Sequence, residues 1–219
     1  MEKINTPTIF NIAVIGANGG IGRQTVEAAL NAGHYVTAIV RTPANLDIKH
    51  PNLQLVKGDV LNPKTLESHL INKDAVISAI GKTSFKPTTL YSQGNKNLIE
   101  AMLEAGTSRA FFISASGLAV NPTHSFIVRF ATRYILQKLL RNMYADLETM
   151  ENTIKKSNIN WTIIRPPQLI DKPVTANYRT STDAILKNAL KIARADVAHF
   201  IVNNIANESI IKKTVEIGY

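Results

Sequence analysis

Four glycines within seven residues, at positions 16, 19, 20 and 22, constrain this chain more than any other feature of its sequence. They directly follow Ile9–Ile15, a nearly continuous apolar run of strand length. They precede Arg23–Ala32, where apolar residues recur at helical spacing. A strand, a glycine-rich turn and a helix in this order are typical of a site that binds nucleotide phosphates. The sequence therefore predicts a nucleotide site at the first β–α junction.

The glycines of this predicted phosphate loop have separate tasks. Gly16 permits a tight turn, Gly19 lets backbone N–H groups approach a pyrophosphate, and Gly22 lets the helix pack closely on the strand. The full set of predicted loop residues is Gly16, Asn18, Gly19, Gly20, Ile21 and Gly22. A glycine-rich turn without a ligand is the alternative, because the spacing is G-x-x-G-x-x-G and a bare glycine match is weak.

Strands and helices alternate along the rest of the chain. Further strands are predicted at Tyr35–Val40, Leu53–Val56, Ala75–Ile80, Ala110–Ile113, Trp161–Ile164 and Lys213–Ile217. Further helices are predicted at Pro63–Leu70, Leu90–Ala105, Ser125–Asn142, Ala145–Lys156 and Asp196–Asn204. This alternation predicts an α/β fold with a doubly wound parallel sheet, the Rossmann fold. We expect one domain over residues 1–219, with residues 165–191 as a small C-terminal substrate-covering segment.

The end of the second strand indicates which dinucleotide would bind. Sites that prefer NAD usually carry an acidic residue there, whereas here Val40 is followed by Arg41 and Thr42, and no acid occurs before Asp47. A guanidinium can pair with a 2′-phosphate through its planar fork. The sequence therefore predicts NADP rather than NAD, and a solvated surface arginine is the alternative.

Several residues after later strands complete the predicted cofactor site. Asp59 can accept a hydrogen bond from the adenine amino group while Val60 packs on the ring, although Gly-Asp is also ordinary turn chemistry. After the fourth strand, Gly81 lets the backbone pass close to the cofactor, and Lys82 either reaches a phosphate or is solvated. The predicted residues outside the phosphate loop are Arg41, Asp59, Val60, Ile80, Gly81, Lys82 and Pro166.

Together these motifs resemble the atypical short-chain dehydrogenases/reductases with NmrA-like NAD(P)-binding domains, over nearly the whole chain. The motifs are Gly16–Gly22, Val40-Arg41, Gly58-Asp59-Val60, Asp74–Gly81 and Thr162–Pro167. Two C-terminal stretches, Pro166–Pro173 and Asp196–Phe200, are most similar to the flavin reductase/biliverdin-IXβ reductase branch. The resemblance implies hydride transfer from NADPH to flavins, tetrapyrroles or related acceptors. The second 2′-phosphate arginine of the family would fall near Asn45, so Arg41 carries more of that recognition.

The candidate catalytic residues come from the resemblance and from one spacing match. The resemblance implies an active-site histidine at His199 and a serine after the fifth strand, for which Ser114 is favoured and Ser116 follows. Tyr134 and Lys138 match the Tyr-x-x-x-Lys spacing, in which lysine lowers the phenol pKa. That spacing arises easily by chance, and His199 is equally well explained as a helix histidine that serves packing.

Charge and composition limit the remaining choices. The chain has 25 Lys and Arg against 16 Asp and Glu, a net charge of +9, which favours an anionic partner. Four of the cations and no acids lie in Asn121–Met143. The predicted helix Ser125–Asn142 is therefore basic and amphipathic, and fits a substrate lid, a dimer face, a membrane-surface contact or a docked helix with a solvated basic face.

Other partners are not expected. The chain has no cysteine, which excludes disulfides and thiolate metal sites, and its histidines lack metal-ligand spacing. Nucleic-acid binding lacks aromatic interleaving and a recognised module. No export signal or membrane span is visible, so we expect a cytoplasmic monomer or homodimer.

The leading functional hypothesis is an NADPH-dependent reductase of a flavin, a quinone or a similar planar small molecule. One alternative is a non-enzymatic NAD(P)-sensing regulatory protein of NmrA-like type. The other is an NAD(P)-dependent sugar-nucleotide epimerase or dehydratase that uses Tyr134. Fold alone does not decide among these functions.

Overall fold

The apolar runs of the sequence form the strands of the protein in the computed structural model, which describes residues 8–81, 87–118 and 137–219. Within these ranges the strands are β1 (Asn11–Ile15), β2 (Tyr35–Val40), β3 (Leu53–Lys57), β4 (Ala75–Ser78), β5 (Arg109–Ile113), β6 (Asn160–Arg165), β7 (Gln168–Ile170), β8 (Arg179–Thr182), β9 (Lys191–Ala193) and β10 (Lys213–Gly218). The helices are α1 (Gly20–Asn31), α2 (Glu67–Leu70), α3 (Leu90–Glu104), α4 (Gln137–Leu139), α5 (Arg141–Lys155) and α6 (Arg194–Asn203).

The main sheet has the order β3-β2-β1-β4-β5-β6-β10-β8. Every pairing in it is parallel except that of β8, which runs antiparallel to β10 at the edge. The direction of strand succession reverses between β1 and β4, and such a reversal opens a crevice at the carboxyl ends of the strands. The doubly wound parallel sheet predicted from the sequence is confirmed, and this crevice is where a ligand is expected.

Two hydrophobic cores cover the two faces of the sheet. Along β1, Ile12 and Val14 pack beneath α1 and α6, whereas Ala13 and Ile15 pack beneath α3 and α5. Successive side chains of a strand point to opposite faces, so a strand between two helix layers must be apolar at consecutive positions. This requirement explains the continuous apolar run that precedes the glycines.

One predicted helix boundary is wrong. The sequence predicts that Arg141 and Asn142 end a helix over Ser125–Asn142, whereas they are the first residues of α5. Leu140 precedes α5 without any capping side chain, so the sequence carries no start signal at this position. Residues 125–136 of the predicted basic helix lie outside the described part of the chain. In the parts that are described, no helix is long and apolar enough to cross a membrane.

The C-terminal segment predicted to cover a substrate, residues 165–191, consists mainly of loops with two short strands, β7 and β8, and it ends where β9 begins. In this segment β7 and β9 form a separate parallel pair, and β8 extends the main sheet beside β10. Asp196, fully buried at the start of α6, ties the intervening loop down: its carboxylate accepts the backbone N–H groups of Thr175 and Ala176, each at 2.8 Å, and the hydroxyl of Tyr219 at 2.5 Å. Asp196 is therefore one of the residues through which α6 holds this segment.

Candidate cofactor and active site

The glycine loop joins β1 to α1 in a conformation that side chains would disturb. Gly16 has a φ of +77°, and a Cβ there would lie 2.6 Å from the carbonyl oxygen of Ala79, at the end of the neighbouring β4. A Cβ at Gly22 would lie 2.2 Å from the carbonyl oxygen of Gly16. These two glycines thus serve close backbone packing.

The amino end of α1 keeps hydrogen-bond donors for a ligand. Gly19 is its N-cap residue and has no side chain to accept from the first N–H groups, and the first turn contains no acid. Uncapped N–H groups and the helix dipole together favour an anion. A Cβ at Gly20 would lie 2.5 Å from the side chain of Arg194, so this arginine lies directly over the loop. Asp171 holds its guanidinium at 2.7 Å.

A cavity of about 570 Å³ runs from this loop across the carboxyl ends of the strands. Most of the predicted site residues line it: Gly16, Asn18, Gly19, Gly20, Ile21, Arg41, Asp59, Val60, Ile80, Gly81, Ser114 and Pro166. Arg194, which the sequence reasoning missed, lines it as well. Gly22 supports the loop from beneath and is not a lining residue, while Lys82 and Tyr134 lie outside the described residues.

One end of the cavity is polar and suits a phosphate. Arg41, Thr42 and Asn45 follow β2 there, and the side-chain amide of Asn18 donates to the carbonyl of Thr42 at 3.1 Å. Arg41 is exposed, and its guanidinium forms no hydrogen bond or ion pair with the described residues. Asp59, farther along the wall, caps its own turn by accepting from the N–H of Leu61 at 3.0 Å.

The other end is mostly apolar. Its wall is formed by Leu90, Ile113, Ala115, Met143, Leu147, Pro167 and Leu169, with Tyr91 and Ser114 among them. Tyr91 lies in the first turn of α3, and the buried Asp146 of α5 accepts its backbone N–H at 2.9 Å and also accepts a hydrogen bond from the hydroxyl of Ser92. The apolar end is therefore built where α3, α5 and the strand ends meet.

Ser114 belongs to a buried ionic network. Its hydroxyl donates to Glu151 Oε1 at 2.7 Å, and Arg165 grips both carboxylate oxygens of Glu151, at 2.8 and 2.6 Å. Lys155 adds a fourth donor at 3.0 Å. Burial by itself raises the pKa of the Glu151 carboxyl, but the bonds from Arg165 and Ser114 outweigh burial and lower that pKa below its ordinary value. Glu151 is thus an ionised carboxylate behind the cavity wall.

The other candidate catalytic groups do not line this cavity within the described residues. Ser116 lies in a short 3₁₀ turn, and its backbone N–H donates to the carbonyl of Pro166 at 3.0 Å. His199 lies on α6, and its Nδ1 pairs with the hydroxyl of Tyr178 at 2.8 Å. Burial, aided by the charge of Asp196, raises the pKa of Tyr178 to about 12. The structure therefore brings Ser114, but not His199, to the cavity that contains the glycine loop.

Sequence reasoning missed Arg194 and Glu151 for the same reason. Glu151 lies 37 residues from Ser114 in the chain, and on α5 it reads as one more charged helix residue. Arg194 reads as the first residue of a helix, and only the fold places it over Gly20. The sequence signal near this site is the Asp-x-x-His-Phe stretch that begins at Asp196, and it marks His199 rather than Arg194.

Together, the sheet order and the glycine-loop cavity define a dinucleotide-binding protein of Rossmann type. The chain belongs to the NAD(P)H-binding family, whose model matches residues 16–208, and this confirms the resemblance drawn from the motifs. An uncharacterized chloroplastic protein of Arabidopsis thaliana is 31% identical over 232 residues, which cover 99% of this chain and 79% of that protein. The cytoplasmic location stays a prediction.

Solved structures share the fold over almost the full chain. A candidate NADH-flavin reductase of Streptococcus pneumoniae is 25% identical, with a TM-score of 0.75 over 95% of this chain and 99% of its own. A wide-type short-chain dehydrogenase/reductase of Veillonella parvula, in complex with NADP, is 18% identical, with a TM-score of 0.77 over 97% of this chain and 95% of its own. A structure of the same fold is thus known with NADP bound.

Proposed function

We propose that this protein is an NADPH-dependent reductase, of the atypical short-chain dehydrogenase/reductase type, that delivers a hydride to a flavin, a quinone or another planar acceptor. One observation carries the proposal: a single cavity joins the glycine loop to an apolar chamber. A dinucleotide has that same division between an anionic half and a planar ring, and the remaining apolar space fits a second ring stacked against it.

The residues at the polar end fit the phosphates of NADPH. The uncapped N–H groups of α1 and the guanidinium of Arg194 would hold the pyrophosphate. Arg41, with Asn45 beside it, would hold the 2′-phosphate, because a guanidinium offers paired donors and none of the lining residues that follow β2 is acidic. Asp59 and Val60 would border the adenine.

The apolar end fits a reaction in which positioning does most of the catalysis. When bound, the reduced nicotinamide supplies a hydride. Leu169, Met143 and Leu147 would exclude water and hold the acceptor ring flat, while protons reach a flavin or quinone from solvent. At this end the described lining has no histidine, lysine or carboxylate, and its titratable side chain is that of Tyr91, which suits acceptors that take their protons from solvent.

The proposal is tested by following NADPH absorbance with a panel of FMN, riboflavin and quinones. Acceptor-dependent loss of NADPH is expected. Tight NADPH binding without turnover on any acceptor would overturn the reductase and favour a cofactor-sensing protein. Turnover that depends on a sugar nucleotide instead would favour the epimerase alternative.

Replacing Arg41 tests the cofactor assignment. Arg41→Ala should weaken NADPH binding by about tenfold to a hundredfold, the range of one to two charge-assisted hydrogen bonds, and should leave NADH binding nearly unchanged. Both affinities can be measured by fluorescence titration. Lys64→Ala, which removes an exposed cation beyond the cavity lining, is the matched control and should change neither affinity. Equal losses for NADPH and NADH in Arg41→Ala would refute the 2′-phosphate role.

A further inference from the structure

We propose that Ser114 meets the bound ligand as a hydrogen-bond acceptor and not as a donor. The cavity would then select a ligand that turns an N–H or O–H group toward this serine. The inference rests on the proposed function and gives a direction to one contact of that site.

The direction follows from the partner behind the serine. The Ser114 Oγ and Glu151 Oε1 atoms lie 2.7 Å apart, and one proton must lie between them. The carboxylate already accepts from Arg165 at both oxygens and from Lys155 at Oε2. An ionised carboxylate can only accept, so the proton in this bond belongs to the serine.

The surroundings of the Glu151 carboxylate stabilise its ionised form. Glu151 is only 3% exposed at its side chain, and the charged groups that contact it, Arg165 and Lys155, are both cations. A buried carboxylate that is gripped at both oxygens by a guanidinium is stabilised in its charged form. Across the neutral pH range the Ser114 hydroxyl is therefore the donor, and the Glu151 carboxylate the acceptor, of the hydrogen bond between them.

The lone pairs of the serine are left for the cavity. Its backbone N–H is committed to the carbonyl of Ile164 at 2.8 Å, and its hydroxyl proton to Glu151. None of the described residues donates a hydrogen bond to Ser114 Oγ, and Ser114 lines the cavity. A ligand carbonyl at this position could not form a hydrogen bond, because its oxygen and Ser114 Oγ would both be acceptors. A ligand N–H group would donate a hydrogen bond to Ser114 Oγ.

Two parts of the proposed complex offer such a donor. The nicotinamide ring carries a carboxamide NH₂ group, and a flavin acceptor carries an imide N–H. The shared chemistry is an amide-type donor on a planar ring. The experiment uses one matched ligand pair for each source.

For the cofactor, the Kd of NADPH is compared with that of its 3-acetylpyridine analogue, in which a methyl group replaces the NH₂. For the acceptor, the KM of lumiflavin is compared with that of 3-methyllumiflavin, which lacks the imide N–H. In the wild type, at least one pair should differ by about three- to tenfold in favour of the donor, which is the size of one neutral hydrogen bond. The pair that differs identifies the source.

Ser114→Ala should abolish that difference by weakening only the ligand that carries the donor. Ser116→Ala is the matched control: it removes the same hydroxyl two residues on, outside the cavity lining, and should keep the wild-type ratio. A wild type that treats both members of both pairs alike overturns the inference without any variant. A ratio that survives in Ser114→Ala also overturns it. Failure of the proposed function is a different result, since the wild type would then not bind or oxidise NADPH at all.

Discussion

Glu151 shows how one residue can serve stability and the site together. Its carboxylate is buried, yet it has four donors, from Ser114, Lys155 and twice from Arg165. Removing one partner of a buried, hydrogen-bonded ion pair leaves the other charge unsolvated, which costs more than the pair itself contributes. This residue is therefore expected to be sensitive even to an isosteric change.

Glu151→Gln should lower the free energy of unfolding at pH 7 by about 3 kcal/mol, because Arg165 and Lys155 lose their counter-charge. The folded-state pKa of Glu151 is lowered, so its stabilisation is fully present above the unfolded value of 4.5 and is lost as pH falls through the folded value. Urea unfolding at pH 7 and at pH 3 checks this, since the gap to wild type should shrink in acid.

Glu148→Gln is the control for that prediction. It makes the same change three residues earlier on α5, where the side chain is exposed. Its effect should stay within about 0.5 kcal/mol at either pH. Equal effects of the two substitutions would contradict the role given to the buried network.

Residues whose task is set locally could be predicted from the sequence. The glycines and Arg41 follow strands at fixed spacing, and a strand that ends in the sheet fixes where the next residues point. Glu151 and Arg194 act through contacts made across the fold, with Ser114 and Gly20 respectively. No local pattern distinguishes such residues from solvated helix charges, and only the tertiary structure identifies them.

The elements divide in the same way. Apolar runs predicted β1, β2, β4, β5 and β6, because strands buried on both faces must be apolar throughout. The sequence of β8 is Arg-Thr-Ser-Thr, which contains no apolar residue, and it is a strand because β10 offers it hydrogen bonds. An edge strand of this kind is set by its partner, so its own sequence gives little signal.

At the level of elements, Asp196 joins α6 to the loop between β7 and β8. Asp196→Ala would leave the backbone N–H groups of Thr175 and Ala176 without an acceptor, and we expect a loss of about 3 kcal/mol in unfolding free energy. Amide hydrogen exchange at these two residues should accelerate more than exchange in β1.

Asp171→Ala provides the comparison within the same segment. The Asp171 side chain is 88% exposed and, within the described part of the chain, pairs with Arg194 at the surface, so its loss should cost little stability. Unchanged exchange at Thr175 and Ala176 in Asp196→Ala would show that the loop is held by other contacts.

At the scale of the whole molecule, cofactor binding should raise the Tm of the protein. A ligand that binds only the folded state at a hundred times its Kd stabilises by about 2.7 kcal/mol. For a domain of this length that raises Tm by about 5–10 °C. Differential scanning fluorimetry with NADPH should show this rise, and NADH at the same concentration should give a smaller one.

The Arg41→Ala variant is the control for this measurement. In this variant NADPH and NADH should raise Tm equally. A difference between the two cofactors that persists in Arg41→Ala would contradict the proposed 2′-phosphate site.

The position of β10 also has a consequence for biosynthesis. β10 comes after all the other described strands in chain order, yet it lies between β6 and β8 in the sheet. In the described sheet β8 is paired with β10, so β8 emerges from the ribosome with no neighbour to receive it. The strands from β1 to β6 can assemble earlier, as amino-terminal parts of a domain often do during synthesis. The edge of the sheet beside β6 therefore stays open until β10 has been made, and in that interval the nascent chain is most exposed to misassembly and most dependent on chaperones.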